Sequence, residues 1–278
     1  MKMTSFVTFL SHGFLRLSWK LSVIKGLQII LKTAMKIFLI IFAVASAFSA
    51  NSPAQSFIAG WDFETTSNGG TRVLAATATP KVYIANFGSG TLYLDGTQGS
   101  SDWLVPAVGF QLSAFVGTTV NTSNGLVNTI SPSSLAFLNQ AANGKSAVFK
   151  FDLSSVFDPI EITYASQRTA TGFDSQTWEW STDGAAYNPI GQFASGTTPG
   201  ALTTSFTNSG VLTLPQFSGL SGAANAFVRV TFNGATSTSG NNRLDNVQFN
   251  TVPEPSTYAM LALAGAGFAG YVIRRRRR

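Results

Sequence analysis

The sequence predicts an all-β protein, a β-sandwich or jelly roll, with an N-terminal signal peptide helix and a single C-terminal transmembrane helix. Three observations carry this. Between residues 56 and 250 no amphipathic helical period runs for long, and short apolar or alternating runs are separated by Gly, Asn, Ser, Thr and Asp. An apolar run over 37–48 follows Met35-Lys36 and leads into small residues through Ala50 and Ala54. Near the other end, an uncharged run from Tyr258 to Ile273 is followed by five arginines. The chain therefore divides into a leader and signal peptide (1–55), a β-sandwich ectodomain (56–250) and a C-terminal segment (251–278).

The leader combines a short positive region, an apolar stretch of about a dozen residues and a small-residue cleavage zone. Ala47-Phe48-Ser49 and Ser52-Pro53-Ala54 both fit a small-x-small site, and the mature N-terminus is expected between Ala50 and Ser56. Residues 1–34 scatter basic side chains among apolar ones and make a poor positive region, so Met35 is the expected true start.

In the middle, strands are predicted at 57–63, 81–86, 91–94, 103–111, 145–153, 160–167, 176–181, 187–193, 211–214, 227–232 and 244–249. Phe149, Phe151 and Leu153 alternate with Val148, Lys150 and Asp152, which turns the phenylalanine face inward. Phe227, Arg229 and Thr231 alternate in the same way with Val228, Val230 and Phe232. One short helix is predicted at 133–142, between Pro132 and Gly144. A domain of this length buries a sizeable core without disulfides.

Charge and composition exclude several classes. The formal net charge is +6, but residues 56–250 carry seven basic and eleven acidic side chains. The basic balance thus belongs to the two ends, and the domain has no basic footprint for nucleic acid. The only histidine is His12, there is no cysteine, and all four methionines lie in the leader or the tail. Cysteine nucleophiles, Ser-His-Asp triads, the usual zinc and copper sites, haem and iron–sulfur ligation are excluded from the domain. Carboxylates, hydroxyls, amides, Lys/Arg and aromatics remain.

The tail runs from Pro253-Glu254-Pro255 through an apolar stretch to Arg274, Arg275, Arg276, Arg277 and Arg278. Sixteen residues make about 24 Å of helix, slightly short of the roughly 30 Å hydrocarbon core. The arginines would stay cytoplasmic and the signal peptide sends the domain outward, so the two ends agree on one topology. The tail also holds a literal G-x-G-x-x-G from Gly265 to Gly270. A dinucleotide site needs a preceding strand and a βαβ unit, and here a proline-rich linker precedes it. Small residues in lipid serve instead for close helix contact. Position, Pro-Glu-Pro tripeptide, apolar helix and arginine cluster together resemble the PEP-CTERM sorting domain. The resemblance implies a tail read by an exosortase, a membrane transpeptidase-like enzyme of Gram-negative bacteria that make exopolysaccharide. It concerns where the protein goes and leaves the domain's own role open.

Two local resemblances support a jelly roll. Trp178-Glu179-Trp180-Ser181-Thr182-Asp183-Gly184 looks like the hairpin of bacterial sandwich domains, with Asp-Gly as its turn. The stretch 227–232, a Gly/Ser/Thr loop and Asn242-Arg243-Leu244-Asp245-Asn246-Val247 resemble the last two strands of secreted carbohydrate-binding-like jelly rolls. In such domains an acid at the position of Asp245 joins acids on the first strand, here Asp62 and Glu64, in holding a structural calcium. The alternative is that Asp245 accepts turn hydrogen bonds while Asp62 and Glu64 face water. Trp178 and Trp180 share one strand face and, with Tyr187, suit either a sugar-stacking platform or the sandwich core. Trp103 and Tyr93 have the same two readings. Glu161 and Glu179 are the candidate glycosidase pair, although neither lies in a catalytic motif. Asn121-Thr122-Ser123 is a glycosylation sequon, uninformative in a bacterial protein.

These readings converge on an exported, non-enzymatic cell-surface or exopolysaccharide-matrix protein. It would be anchored briefly in the inner membrane and then sorted to the surface or matrix. Its expected partners are the Sec export machinery, an exosortase, the membrane and exopolysaccharide. The alternatives are a secreted carbohydrate-binding module and a carboxylate-dependent polysaccharide-active enzyme.

Overall fold

The computed structural model describes residues 56–66, 69–74, 79–106, 109–196 and 201–252, together with Gly265, Gly267, Gly270, Arg274 and Arg275. The chain divides into two compact units, and every described strand lies in the one bounded by Pro53 and Glu254. The described strands are β1 (Phe57–Trp61), β2 (Val82–Ile84), β3 (Phe87–Gly88), β4 (Thr91–Tyr93), β5 (Leu112–Phe115), β6 (Ser134–Leu138), β7 (Ser146–Phe151), β8 (Ile160–Arg168), β9 (Ser175–Ser181), β10 (Asn188–Ala194), β11 (Val211–Thr213), β12 (Ala226–Asn233) and β13 (Asn241–Thr251). They form two antiparallel sheets. One has six strands in the order β10-β9-β12-β7-β4-β2. The other has seven, with β11-β8-β13-β1-β3 in a row and β5-β6 also joined to β13.

The long strand β13 explains the second sheet. It pairs with β8 along one side. On its other side, β6 pairs with residues 241–244 and β1 with residues 247–250. The neighbour therefore changes at Asp245-Asn246. The β8 register also shifts between Asp245 and Gln248, and Asn246 takes a left-handed φ of 47°. A bulge of this kind re-aims side chains and leaves backbone unpaired.

The sheets pack face to face through one apolar core. Trp61 on β1 meets Phe149 and Phe151 on β7 at ring-centroid distances of 5.0 and 5.9 Å, edge-on. Phe149, Phe151 and Leu153 are buried in this core, as their alternation predicts. A buried polar chain also crosses between the sheets. Trp178 Nε1 donates to the Tyr164 hydroxyl at 3.0 Å, and that hydroxyl donates to Gln176. Gln176 Nε2 in turn donates to Asn242 Oδ1 at 2.8 Å and Ser166 Oγ at 3.0 Å. Such a chain is tolerated because each member has a partner.

Two expectations are corrected. The helix predicted over 133–142 is β6 followed by one 3-10 turn, Gln140–Ala142, capped by Asn139. The five residues of β6 are all buried, and β5 and β13 saturate its backbone from both sides. Its four consecutive apolar residues, 135–138, carry no period with which to separate helix from strand. The strand predicted over 103–111 is not formed by its described residues, 103–106 and 109–111, and Gln111 N–H donates back to Leu104 O at 2.9 Å. Its tryptophan is core, and β5 begins only at Leu112. The remaining predicted strands between 56 and 250 match observed ones to within a few residues.

The signal peptide and the Pro253-Glu254-Pro255 segment lie outside the described residues, as do Arg276, Arg277 and Arg278. Gly265, Gly267, Gly270, Arg274 and Arg275 have helical backbone and are exposed. Among the described residues, no helix is long and apolar enough to cross a membrane, and most of the predicted span is outside them.

Candidate functional site

The neighbour change on β13 is where unusual chemistry collects. Asp62 and Glu64 follow directly on β1, whose last residue is Trp61. Asp62, Asp245 and Asn246 are wholly buried, and Glu64 is nearly so. The loop 117–130 lies over them. Asp245 Oδ2 accepts from Thr118 N–H at 2.7 Å and its Oδ1 from Asn246 N–H at 2.9 Å. Glu64 accepts from Thr129 N–H at 2.8 Å, Ile130 N–H at 2.9 Å and the Thr129 hydroxyl at 3.0 Å. Asp62 accepts from the N–H groups of Glu64 and Thr65 at 3.0 and 2.9 Å and from the Thr65 hydroxyl at 2.6 Å.

Amides complete the latch. Asn246 Nδ2 donates to the carbonyls of Thr118 and Val120 at 2.8 and 2.9 Å. Asn121 Nδ2 returns a bond to Asn246 O at 2.7 Å, filling backbone that the bulge leaves unpaired. Gln248 Nε2 donates to Asn121 O at 2.6 Å. At Gly117 any Cβ would overlap Asp245 Oδ2 and Ser133 Oγ, so only glycine lets the loop come this close.

Burial pushes the Asp245 carboxyl well above the usual carboxylate range. The N–H groups of Thr118 and Asn246 offset part of this, and the nearby charges of Asp62 and Glu64 raise it further. The ion pairs among the described residues are Lys81–Asp102 and Arg229–Glu179, and neither neutralises these acids. Asn246 Oδ1 is buried with no hydrogen-bond partner. Hard oxygen donors, mutual repulsion and an orphaned amide oxygen fit a calcium ion in donor chemistry. Among the described residues, however, no three acidic side chains converge as a metal cluster.

The aromatic candidates separate. Trp178 is wholly buried in the core, so neither face of its ring is open to a sugar. Trp180 packs partly buried against the core and fills the space beside Gly219. Tyr187 sits under the Arg229 guanidinium, 3.7 Å from its ring centroid. The platform of Trp178, Trp180 and Tyr187 is therefore not assembled. The two tryptophans serve the core because β9 is an interior strand whose even-numbered side chains point between the sheets. Trp103 is likewise core, while Tyr93 is half-buried on β4.

The carboxylate pair separates too. Glu179 lies on the outer side of the six-stranded sheet, held by Arg229 at 2.7 Å. Glu161 alternates with the core residues Ile160 and Ile162 on the other sheet and accepts from Gln216 at 3.4 Å. Two stacked sheets lie about 10 Å apart, and these side chains point away from each other, unlike a glycosidase pair.

Of the residues in this cluster, Gly117, Thr118, Thr129 and Gln248 are not singled out by the sequence, and Asn246 only as the neighbour of Asp245. The available signal was the polar alternation Asn246, Gln248, Asn250 about Val247 and Phe249, which by itself indicates solvent as readily as a covering loop.

The class that this geometry defines is a jelly-roll-like β-sandwich domain. Residues 251–278 match the PEP-CTERM protein-sorting motif, which follows directly on this domain. The motif implies exosortase-dependent export and sorting to the cell envelope. Comparison with curated proteins gives no match. Among solved structures, the chain is similar to the carbohydrate-binding module TmCBM61 in complex with β-1,4-galactotriose, at 8% identity and a TM-score of 0.32, covering 51% of this chain and 83% of that one. It is similar to a CBM36 module in complex with calcium and xylotriose, at 11% identity and a TM-score of 0.29, covering 49% and 92%. It is also similar to CBM32-3 from a family 31 glycoside hydrolase of Clostridium perfringens, at 12% identity and a TM-score of 0.28, covering 51% and 92%.

Proposed function

We propose that this chain is an exported, non-enzymatic cell-surface or exopolysaccharide-matrix protein of a Gram-negative bacterium. The Sec machinery exports it behind its signal peptide. The C-terminal helix holds it in the inner membrane until an exosortase processes the tail. The observation that carries this reading is the sorting motif at residues 251–278, beginning at the last residue of β13. In support of a non-enzymatic role, the candidate carboxylate pair points to opposite sides of the sandwich. Calcium at Asp245, shared with Asp62 or Glu64, would offset buried negative charge and fix the loop 117–130. Exopolysaccharide is the proposed surrounding of the sorted protein.

The test is expression with an epitope inside the domain, with and without the exosortase. Conversion to a smaller, released or surface-bound form only with the enzyme is expected. Equal full-length membrane-bound protein in both strains would make the tail a plain anchor and defeat the proposal.

A further inference from the structure

The end of the sandwich that carries the sorting motif has an ordered, exposed apolar feature. Thr251 N–H donates to Ser56 O and Val252 N–H to Pro159 O, both at 2.7 Å. Pro253 is the next residue, so no spacer separates the last ladder bond from the Pro-Glu-Pro tripeptide. Between Val252 and Tyr258, the first residue of the predicted span, there are six residue steps, a reach of at most about 20 Å. Any enzyme that grips residues 253–255 must come against this end of the domain.

Phe157 stands there, two residues before Pro159. At 74% exposure it is the most exposed large apolar side chain among the described residues. Its loop is not loose. Val156 donates to Leu153 O at 2.9 Å and accepts from Gly222 N–H at 2.7 Å, while Leu153 donates to Ala223 O at 2.8 Å. On the other side, Ile160 exchanges backbone bonds with Phe217 at 2.8 and 3.1 Å. The ring is thus presented from a backbone fixed on both flanks. Asp152 and Asp158 lie in the same loop, and neither 152–161 nor 214–225 contains Lys or Arg. Anionic lipid would be repelled by this surface, whereas a protein site with an apolar pocket and a basic rim would fit it.

We infer that the loop around Phe157 is a docking surface for the sorting exosortase, engaged as the enzyme reads the adjoining tripeptide. This rests on the sorting reading above. The contact is short-range because the motif is joined to β13 without a linker. A long flexible insertion would let the enzyme take the motif without touching the domain.

The experiment uses the full chain in cells with the exosortase, comparing Phe157→Asp, a Gly/Ser insertion of about 20 residues between Val252 and Pro253, and the two combined. The Phe157→Asp protein should convert about ten-fold more slowly, the loss of one buried apolar contact at the enzyme. In the insertion background the same substitution should have no effect. The melting temperature should not move, because the side chain is exposed. Wild-type conversion of Phe157→Asp would overturn the inference alone. Equal slowing with and without the insertion would also overturn it. So would release of Phe157→Asp from membranes of a strain lacking the enzyme, which would assign the contact to lipid. No conversion of the unaltered chain would overturn the sorting reading and this inference with it.

Discussion

Asp245→Asn removes a buried charge while preserving side-chain shape. Both carboxylate oxygens accept N–H bonds in the native chain, from Thr118 at 2.7 Å and Asn246 at 2.9 Å. An amide accepts at only one of these positions and leaves the other N–H facing an NH2 group, at a cost of about 1–3 kcal/mol. The charge effect opposes this cost and depends on pH. The folded-state pKa of Asp245 is raised above an unfolded value near 3.9, so the folded chain binds the proton more tightly. Its contribution to stability is therefore fully present below about pH 3.9 and is lost as pH rises through the raised value. Without calcium, the advantage of the native chain over Asp245→Asn should shrink or reverse between about pH 4 and neutrality. Asp102, Asp152 and Asp183 are held low by hydrogen bonds from Lys81, Ser154 and Ala185 and act in the opposite sense. They do so in both proteins and cancel in the difference between the two curves, which reports Asp245 together with its coupling to Asp62 and Glu64. Calcium at 100 times its Kd should restore about 2.7 kcal/mol to the native chain. At about 2–4 °C per kcal/mol for a domain of this size, that is a rise of roughly 5–11 °C, absent in the variant. Thermal unfolding followed by circular dichroism, in EDTA and in calcium, reads both effects. Parallel pH curves in EDTA, or an equal calcium shift in both proteins, would refute the reasoning.

Trp178→Ala should lower stability by about 3–5 kcal/mol and the melting temperature by roughly 6–20 °C, because the ring is core and its Nε1–H is bonded to Tyr164. An unchanged melting temperature with altered glycan binding would return Trp178 to the sugar platform. Glu64→Gln should loosen the loop 117–130, since only one of its two acceptor oxygens remains for Thr129 and Ile130. Limited proteolysis should then cut this loop sooner in the variant, and identical cleavage kinetics would contradict the latch.

The sequence by itself determined the properties that depend on near neighbours in the chain. Alternation placed Phe149 and Phe151 inside, since successive strand side chains face opposite ways. Asp183-Gly184 marked the β9–β10 turn, where Gly184 has a φ of 73°. Contiguous composition likewise marked the tail, because a sorting signal is a linear feature. Tertiary structure decided what depends on residues far apart. Period-two patterning gave Trp178 and Trp180 a common face, but only the stacking of the other sheet made that face the interior. Asp62, Glu64 and Asp245 were legible as a set of acids. Their burial was not, because it comes from the loop 117–130 crossing a point where β13 exchanges β6 for β1. The bond from Thr118 to Asp245 spans 127 residues. No local pattern encodes a contact of that separation, and the acid's altered proton affinity follows from it.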